Sequence, residues 1–436
     1  MKAIVIGAGL GGLLSAAKLS REGYEVEIFE RLPIIGGRFT NIPYHGFQLT
    51  TGALHMIPHG PTGPLANLLK EVGADVEIVR SKPSATIRVP RKRGDTNYKF
   101  GHKDLLFENF KVPFSLINRL KLVFYVITTR KNPPKGISFA QWCTEHIEQD
   151  WTHRISDAFF GWALSLRSAD VPAEEAFEII ENLYRYGGSG VPIGGCKGIT
   201  DALVAVIDAQ GGVINTSSEV TAIITAGGKA TGVIVDCTEH NADLVISDIG
   251  HAATASLLNS YDTNKELQDY AHMAKELKPS AGIKICLSSE KPLIGHGGVM
   301  LTPYAKRVNG INEVTNIDPG LAPYGKHLTM SHQCVHWKDL GNLEEEIIFG
   351  LEDLQDIFAG KEYEVLLVQS YSNEWPVNRA PSGADLKNRT PMPNLFVVGD
   401  GAKGKGGIEV EGVALGVKNT MKEILSKARV ELECGC

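Results

Sequence analysis

The sequence is short of cysteine, of positive charge and of long apolar runs, and each shortage closes a class of function. Its seven cysteines, at 143, 196, 237, 286, 334, 434 and 436, lack the paired spacing of a disulfide framework or a zinc site. That usage suits a reducing cytoplasm and inert buried thiols. Cys434 and Cys436 form a C-x-C at the very end of the chain, where a frayed tail is expected rather than a metal or redox centre. Lysine and arginine total 44 against 50 acidic residues, a net charge of −6, so nucleic acid is not an expected partner. No apolar run reaches the ~20 residues of a membrane-spanning helix. The start of the chain does not read as a secretion signal either: a single lysine precedes an apolar run with the look of a strand. A cytoplasmic location is therefore expected. Internal repeats and low-complexity linkers are also missing.

What is present is concentrated at the N-terminus. With 436 residues, 43% hydrophobic and 22% charged, the chain is long enough for two domains with sizeable cores. Lys2 to Ile6 reads as a buried parallel strand, and Gly7, Gly9 and Gly12 follow in G-x-G-x-x-G spacing around Leu10 and Gly11. The first glycine permits the tight turn, the second a close approach of backbone to a pyrophosphate, and the third close packing of helix on sheet. Leu13 to Leu19 would continue as a helix whose N-terminus presents free N–H groups and partial positive charge to that pyrophosphate. Val26 to Phe29 makes a second strand, with Glu30 and Arg31 at its end. An acid roughly 20 residues beyond the glycine turn accepts hydrogen bonds from ribose hydroxyls and repels a 2′-phosphate. The spacing predicts a dinucleotide site.

Further along, Tyr44 to Gly60 reads as a loop and strand crossing the cofactor, with His55 and His59 as histidines that could be catalytic or merely structural. Pro64 to Val72 is a helix, and Val76 to Phe100 an alternating hairpin around Pro90 and Gly94. Helices are expected over Phe114 to Thr128, Phe139 to His146, Trp151 to Leu166 and Glu174 to Tyr184. The first is apolar around much of its circumference and basic at its end. Burial against the cofactor-covering domain is the favoured reading, and an interfacial contact with membrane lipid is the alternative. A helix from about Gly198 to Ala209 and short strands as far as Ser247 read as a return to the nucleotide domain. Strands at Ile283 to Leu287, Val299 to Thr302, Asn312 to Asn316, Leu328 to Gln333 and Glu364 to Ser370, with a helix from Leu343 to Phe358, form a second insertion. Leu395 to Val398 is a last parallel strand, followed by Gly399 and Asp400 at its carboxyl end and by an amphipathic helix carrying Val410, Val413, Ala414, Val417 and Met421.

The second glycine pair, Gly36 and Gly37 with Arg38, resembles the E-x(5)-G-G-R extension of FAD-dependent amine oxidases and phytoene desaturases. Taken with GGCKGITDAL at 194 to 203 and FVVGDG and GGIEVEG between 396 and 412, the chain is similar to the phytoene desaturase and carotenoid isomerase branch of that superfamily. The resemblance implies an α/β fold: a Rossmann-like FAD-binding domain from 1–80, 190–262 and 380–436, with an inserted α+β substrate domain from 81–189 and 263–379. It implies FAD as cofactor, with Val220 meeting the adenine through its backbone, Arg38 near the isoalloxazine, and Gly407, Ile408 and Val410 along the flavin's pyrimidine edge. Lys403 and Lys405 depart from the glycine-rich pattern; with His55 they are the weak catalytic candidates. The activity implied is hydride transfer from a small apolar, isoprenoid substrate to flavin N5, with the electron acceptor open. A redox-neutral isomerase, an amine or porphyrinogen oxidase and a non-catalytic flavin-binding protein are the alternatives.

Overall fold

The computed structural model describes residues 1–52, 54–92, 95–107, 116–147, 149–258 and 264–433. The apolar run Lys2–Ile6 is the central strand of a five-stranded parallel sheet. The order across it is Leu395–Val397, Leu244–Ser247, Lys2–Ile6, Glu25–Phe29, Val213–Asn215. Ala3, Ile4 and Val5 are fully buried because both faces of the sheet are covered. Helices Leu10–Arg21, Pro64–Val72, Gly195–Ala209 and Glu409–Glu433 pack one face through Leu13, Leu14, Leu65, Leu203 and Val417. The antiparallel meander Val220–Ala226, Lys229–Val235, Thr238–Asn241 covers the other, Val233 meeting Ile4, Ile6 and Val245. The third motif glycine is forced by this packing: a Cβ on Gly12 would stand 2.2 Å from the Gly7 carbonyl oxygen. Strand order reverses at Lys2–Ile6, and such a reversal opens a crevice at the carboxyl ends of the strands.

A second, seven-stranded sheet runs in the order Glu364–Tyr371, Ala281–Ser289, His327–Val335, Gly310–Glu313, Val299–Leu301, Ala85–Pro90, His102–Leu106. It is antiparallel except where Val299–Leu301 meets Ala85–Pro90. Helix Leu343–Ile357 packs on it through Leu354 and Ile357 against Ile283 and Ile285. Helices Phe139–His146, Asp150–Leu164 and Ala173–Tyr186 enclose an aromatic cluster of Phe139, Trp142, Phe160 and Phe177.

Several local expectations change. Ile78–Arg80 pairs with Gly190–Pro192, and the hairpin is Ala85–Pro90 with His102–Leu106. The alternating run breaks at Ser81–Ser84, where Ser81 N–H is taken by the Ser189 carbonyl. The strand expected over 312–316 is Gly310–Glu313 followed by a 3₁₀ turn, Val314–Asn316. That turn is fixed by the buried Glu313 carboxylate, which accepts from the Leu293, Ile294 and Gly295 N–H groups and from Asn316 Nδ2. The helix expected over 114–128 is described from Leu116 to Thr129, and its Leu120, Val123, Phe124 and Ile127 are exposed rather than packed. Among the described residues, no helix is long and apolar enough to cross a membrane. Cys434 and Cys436 lie outside the described residues.

Candidate cofactor site

A cavity of about 530 Å³ occupies the crevice above the parallel sheet. Gly7, Gly9, Leu10, Gly11, Glu30, Arg31, Gly36, Gly37, Arg38, Val220, Gly399, Asp400 and Val410 all line it. Gly12, Gly407 and Ile408 do not. Gly12 packs helix on strand, Gly407 lies against Gly412, and Ile408 is buried in the aromatic cluster.

Helix Leu10–Arg21 begins at Gly9 with no side-chain cap, so its first turn is left open to a ligand. Asp248, which the sequence did not single out, follows strand Leu244–Ser247 and backs this turn. A Cβ on Gly11 would lie 2.6 Å from its Oδ1 and 2.7 Å from the Gly399 nitrogen. Burial pushes the Asp248 carboxyl up to about 7, against the pull of the Gly12 N–H. Glu30 accepts from the Ala8 N–H at 2.8 Å and the Leu32 N–H at 2.9 Å, which fixes its carboxylate at the cavity wall with acceptor capacity to spare. The Arg31 guanidinium lies 5.5 Å from the centroid of Trp375, and both residues line the cavity.

At the other end Arg38 is paired with Asp400 and donates to the Val377 carbonyl at 2.6 Å. Arg379 binds the same carboxylate, Nη1 to Oδ1 at 3.2 Å. Burial works against ionised Asp400, but Arg38 and Arg379 outweigh it and hold the carboxyl well below the usual range. Phe39, Leu54, Met56, Tyr371 and Val413 make the wall here largely apolar, and Glu409 joins them.

The catalytic candidates lie elsewhere. His55 is fully buried; Nε2 donates to the Gln48 carbonyl at 2.9 Å and Nδ1 accepts from the Cys196 N–H at 3.2 Å. Both nitrogens are committed to the neutral ring, and burial takes its pKa down to about 3. His59 Nδ1 donates to the Gly187 carbonyl. Lys403 is buried, its Nζ donating to the Ala380 and Asp400 carbonyls at 2.7 and 3.0 Å and pairing with Asp385. Lys405 is exposed, 3.5 Å from Glu178. None of the four lines the cavity.

Lys284 is a residue the sequence reading passed over. It is wholly buried in strand Ala281–Ser289, donating to the Thr50 and Gly52 carbonyls at 2.7 and 2.6 Å. Burial lowers it to about 8. Tyr371 Oη donates to the same Gly52 carbonyl at 2.7 Å, so a buried cation stands directly behind two lining residues. The available signal was a lone lysine in the apolar run AGIKICL.

A model of flavin containing amine oxidoreductases matches residues 10–416. The crystal structure of an oxidoreductase from Methanosarcina mazei is 59% identical, with a TM-score of 0.94 over 97% of this chain and 100% of that one. An uncharacterized protein of Methanocaldococcus jannaschii is 43% identical over 426 residues, 98% of this chain and 100% of its own. A neurosporene-forming phytoene desaturase of Rhodobacter capsulatus is 26% identical over 300 residues, 59% of this chain and 54% of the desaturase.

Proposed function

Because the chain belongs to the flavin-containing amine oxidoreductase family and is an FAD-dependent oxidoreductase, we propose that its reaction is removal of hydride from an activated C–H of an apolar, isoprenoid-class substrate. The observation that carries this reading is the group of apolar side chains Phe39, Leu54, Met56, Tyr371 and Val413 on the cavity wall, with His55, His59, Lys403 and Lys405 outside it. Similarity to a phytoene desaturase points the same way.

Bound FAD would supply the hydride-accepting chemistry, and the chain's own residues bind and orient. The glycine turn and the open first turn of helix Leu10–Arg21 would hold the pyrophosphate. Glu30 would accept from ribose hydroxyls, Val220 would meet the adenine, and Arg38 with Asp400 would fix the approach to the flavin ring. The apolar side chains would align a substrate C–H, which suits a hydrocarbon, and the proton that leaves the neighbouring carbon as the double bond forms would pass to solvent on the open side of the cavity. The residues present fit the cofactor: the glycines leave room for it, and an acceptor and an open helix terminus flank one cavity.

Anaerobic incubation of the holoprotein with isoprenoid hydrocarbons, amines and porphyrinogens in separate arms tests this. Loss of oxidised-flavin absorbance with the isoprenoids alone is the expected result. Bleaching only by amines or porphyrinogens would move the substrate class, and no bleaching by any of the three would sink the proposal. We also infer a peripheral contact with a lipid surface through helix Leu116–Thr129, supported by its exposed apolar face.

A further inference from the structure

The helix Glu409–Glu433 opens on two glutamates with different surroundings. Glu411 is accounted for by the fold: Oε1 accepts from the His59 N–H at 3.1 Å and Oε2 from the Leu65 N–H at 2.8 Å, tying the helix to the segment beside it. Glu409 lines the cavity. Its Oε1 is buried and has no hydrogen-bond partner among the described residues. Its backbone φ is +40°, in the left-handed region that a side chain enters only at a cost. Strain and an unsatisfied oxygen at one position, on the wall of a ligand cavity, fit a side chain set to meet the ligand rather than to hold the fold.

Charged and titratable groups face it from every element packed around it. Lys403 and Asp400 come from the turn before the helix, and Arg38 from the glycine-rich loop. Tyr371 stands at the end of its strand and Cys196 at the start of helix Gly195–Ala209, with Lys284 behind them both. Glu175 accepts from the Gly406 N–H at 2.8 Å just ahead of the helix. The nearby cations are engaged elsewhere: Arg38 on Asp400, Lys403 on Asp385 and two carbonyls.

We propose that Glu409 sets the charge of the flavin site: its carboxyl enters the cavity beside the bound cofactor, and whether it carries a proton governs how readily FAD accepts electrons. This rests on the reading that the cavity holds FAD. Uptake of a hydride, two electrons and one proton, adds one negative charge to the flavin ring. A neutral carboxyl leaves that charge unopposed and can donate a hydrogen bond; an ionised one repels it. Burial drives the Glu409 carboxyl up to about 8; Lys403 and Arg38 oppose the rise and Asp400 adds to it. The change of charge thus falls in an accessible range.

Spectroelectrochemical titration of the wild-type holoprotein and Glu409→Gln, from about pH 6 to about pH 10, tests it. The two potentials should coincide at the acid end. At the alkaline end the wild type should be harder to reduce, its reduced-to-oxidised ratio at one fixed poise lower by about ten-fold or more. The wild type alone should show an inflection near the Glu409 transition, a readout that does not depend on the variant folding. Parallel curves, or a wild type with no inflection, overturn the proposal. Flavin released on denaturation is measured for each preparation: a wild type that takes up no FAD overturns the functional reading along with the proposal, whereas FAD bound with parallel curves overturns the role of Glu409 alone.

Discussion

Arg38 and Asp400, from opposite ends of the chain, form an ion pair at the wall of the cavity, and Arg379 completes a cluster of two cations on one carboxylate. The pair joins the loop after the second strand to the turn after the last, so it closes the crevice across the parallel sheet. Arg38→Met should lower stability by about 2–3 kcal/mol at neutral pH, under the usual cost of breaking a fully buried pair because both side chains keep 16% exposure. Asp400 titrates below its ordinary value, so its stabilising contribution is present above the unfolded carboxyl's pKa and is lost as pH falls. Denaturant unfolding of both proteins should therefore converge in acid. A difference that persists unchanged at low pH would contradict the ion-pair account.

Glu30 does double duty, holding the Ala8 and Leu32 N–H groups while facing the cavity. Glu30→Ala removes an acceptor of cofactor hydroxyls and strands two backbone donors. FAD affinity, read by quenching of flavin fluorescence, should fall about 10- to 100-fold. Wild-type affinity in this variant would remove Glu30 from the binding site.

Much of this site was legible because its parts are local in sequence. The glycine turn, Glu30 and the Gly36-Gly37-Arg38 extension follow one another within the first strand–helix–strand unit, where spacing alone carries the geometry. Asp248, Tyr371 and Lys284 carry no such spacing. They reach the site because parallel and antiparallel sheets bring distant strand ends together, and that pairing has no short-range signature. The histidines could be read either way in a string of letters, catalytic or structural, and at His55 both ring nitrogens are taken by backbone. Helix Leu116–Thr129 shows the limit of hydropathy, since apolar composition does not say which face meets a neighbour.

The close approach at Gly11 predicts a steric effect separable from cofactor chemistry. A methyl there meets Asp248 Oδ1 and the Gly399 backbone at 2.6–2.8 Å, and backbone cannot yield as a flexible side-chain end does. Gly11→Ala should destabilise the apoprotein by about 1–3 kcal/mol. Gly341→Ala, where a methyl meets nothing within 4 Å, is the matched control and should unfold as the wild type does. Equal denaturation midpoints for the two variants would refute the packing described around Asp248.

Three of the four histidines buried among the described residues predict how the fold responds to acid. Burial lowers His55 to about 3 and His251 and His332 to about 4; for His55 the Gln48 carbonyl, and for His251 the Leu386 backbone, pull the other way. For a base with a depressed folded-state pKa, stability is fully present above the unfolded value near 6.5 and is lost as pH falls toward the folded value. Buried acids raised by desolvation act with the opposite sign. Glu175, Glu411 and Asp248, each near 7, favour the fold below the ordinary carboxyl range and give up that contribution as pH rises through their folded values. Opposed slopes should leave a stability maximum on the acid side of neutrality. Replacing His332 with Gln should flatten the acid limb of the denaturation midpoint against pH and leave the alkaline limb in place.

Helix Leu116–Thr129 carries Leu120, Val123, Phe124 and Ile127 at i, i+3, i+4 and i+7, a single face, with exposures of 62, 40, 63 and 48%. Leaving such a stripe in water forgoes about 1.5–3 kcal/mol for each large side chain that could be buried. Lys121 and Lys131 are exposed on and just beyond the same helix, which favours an anionic surface over a neutral one. The protein should therefore co-sediment with vesicles containing anionic lipid and much less with neutral ones. Leu120→Ser with Phe124→Ser should weaken that binding about ten-fold or more while leaving FAD content unchanged, since neither residue lines the cofactor cavity. Failure of the wild type to sediment with either vesicle would remove the lipid contact, and sedimentation that survives the double substitution would move it to another face.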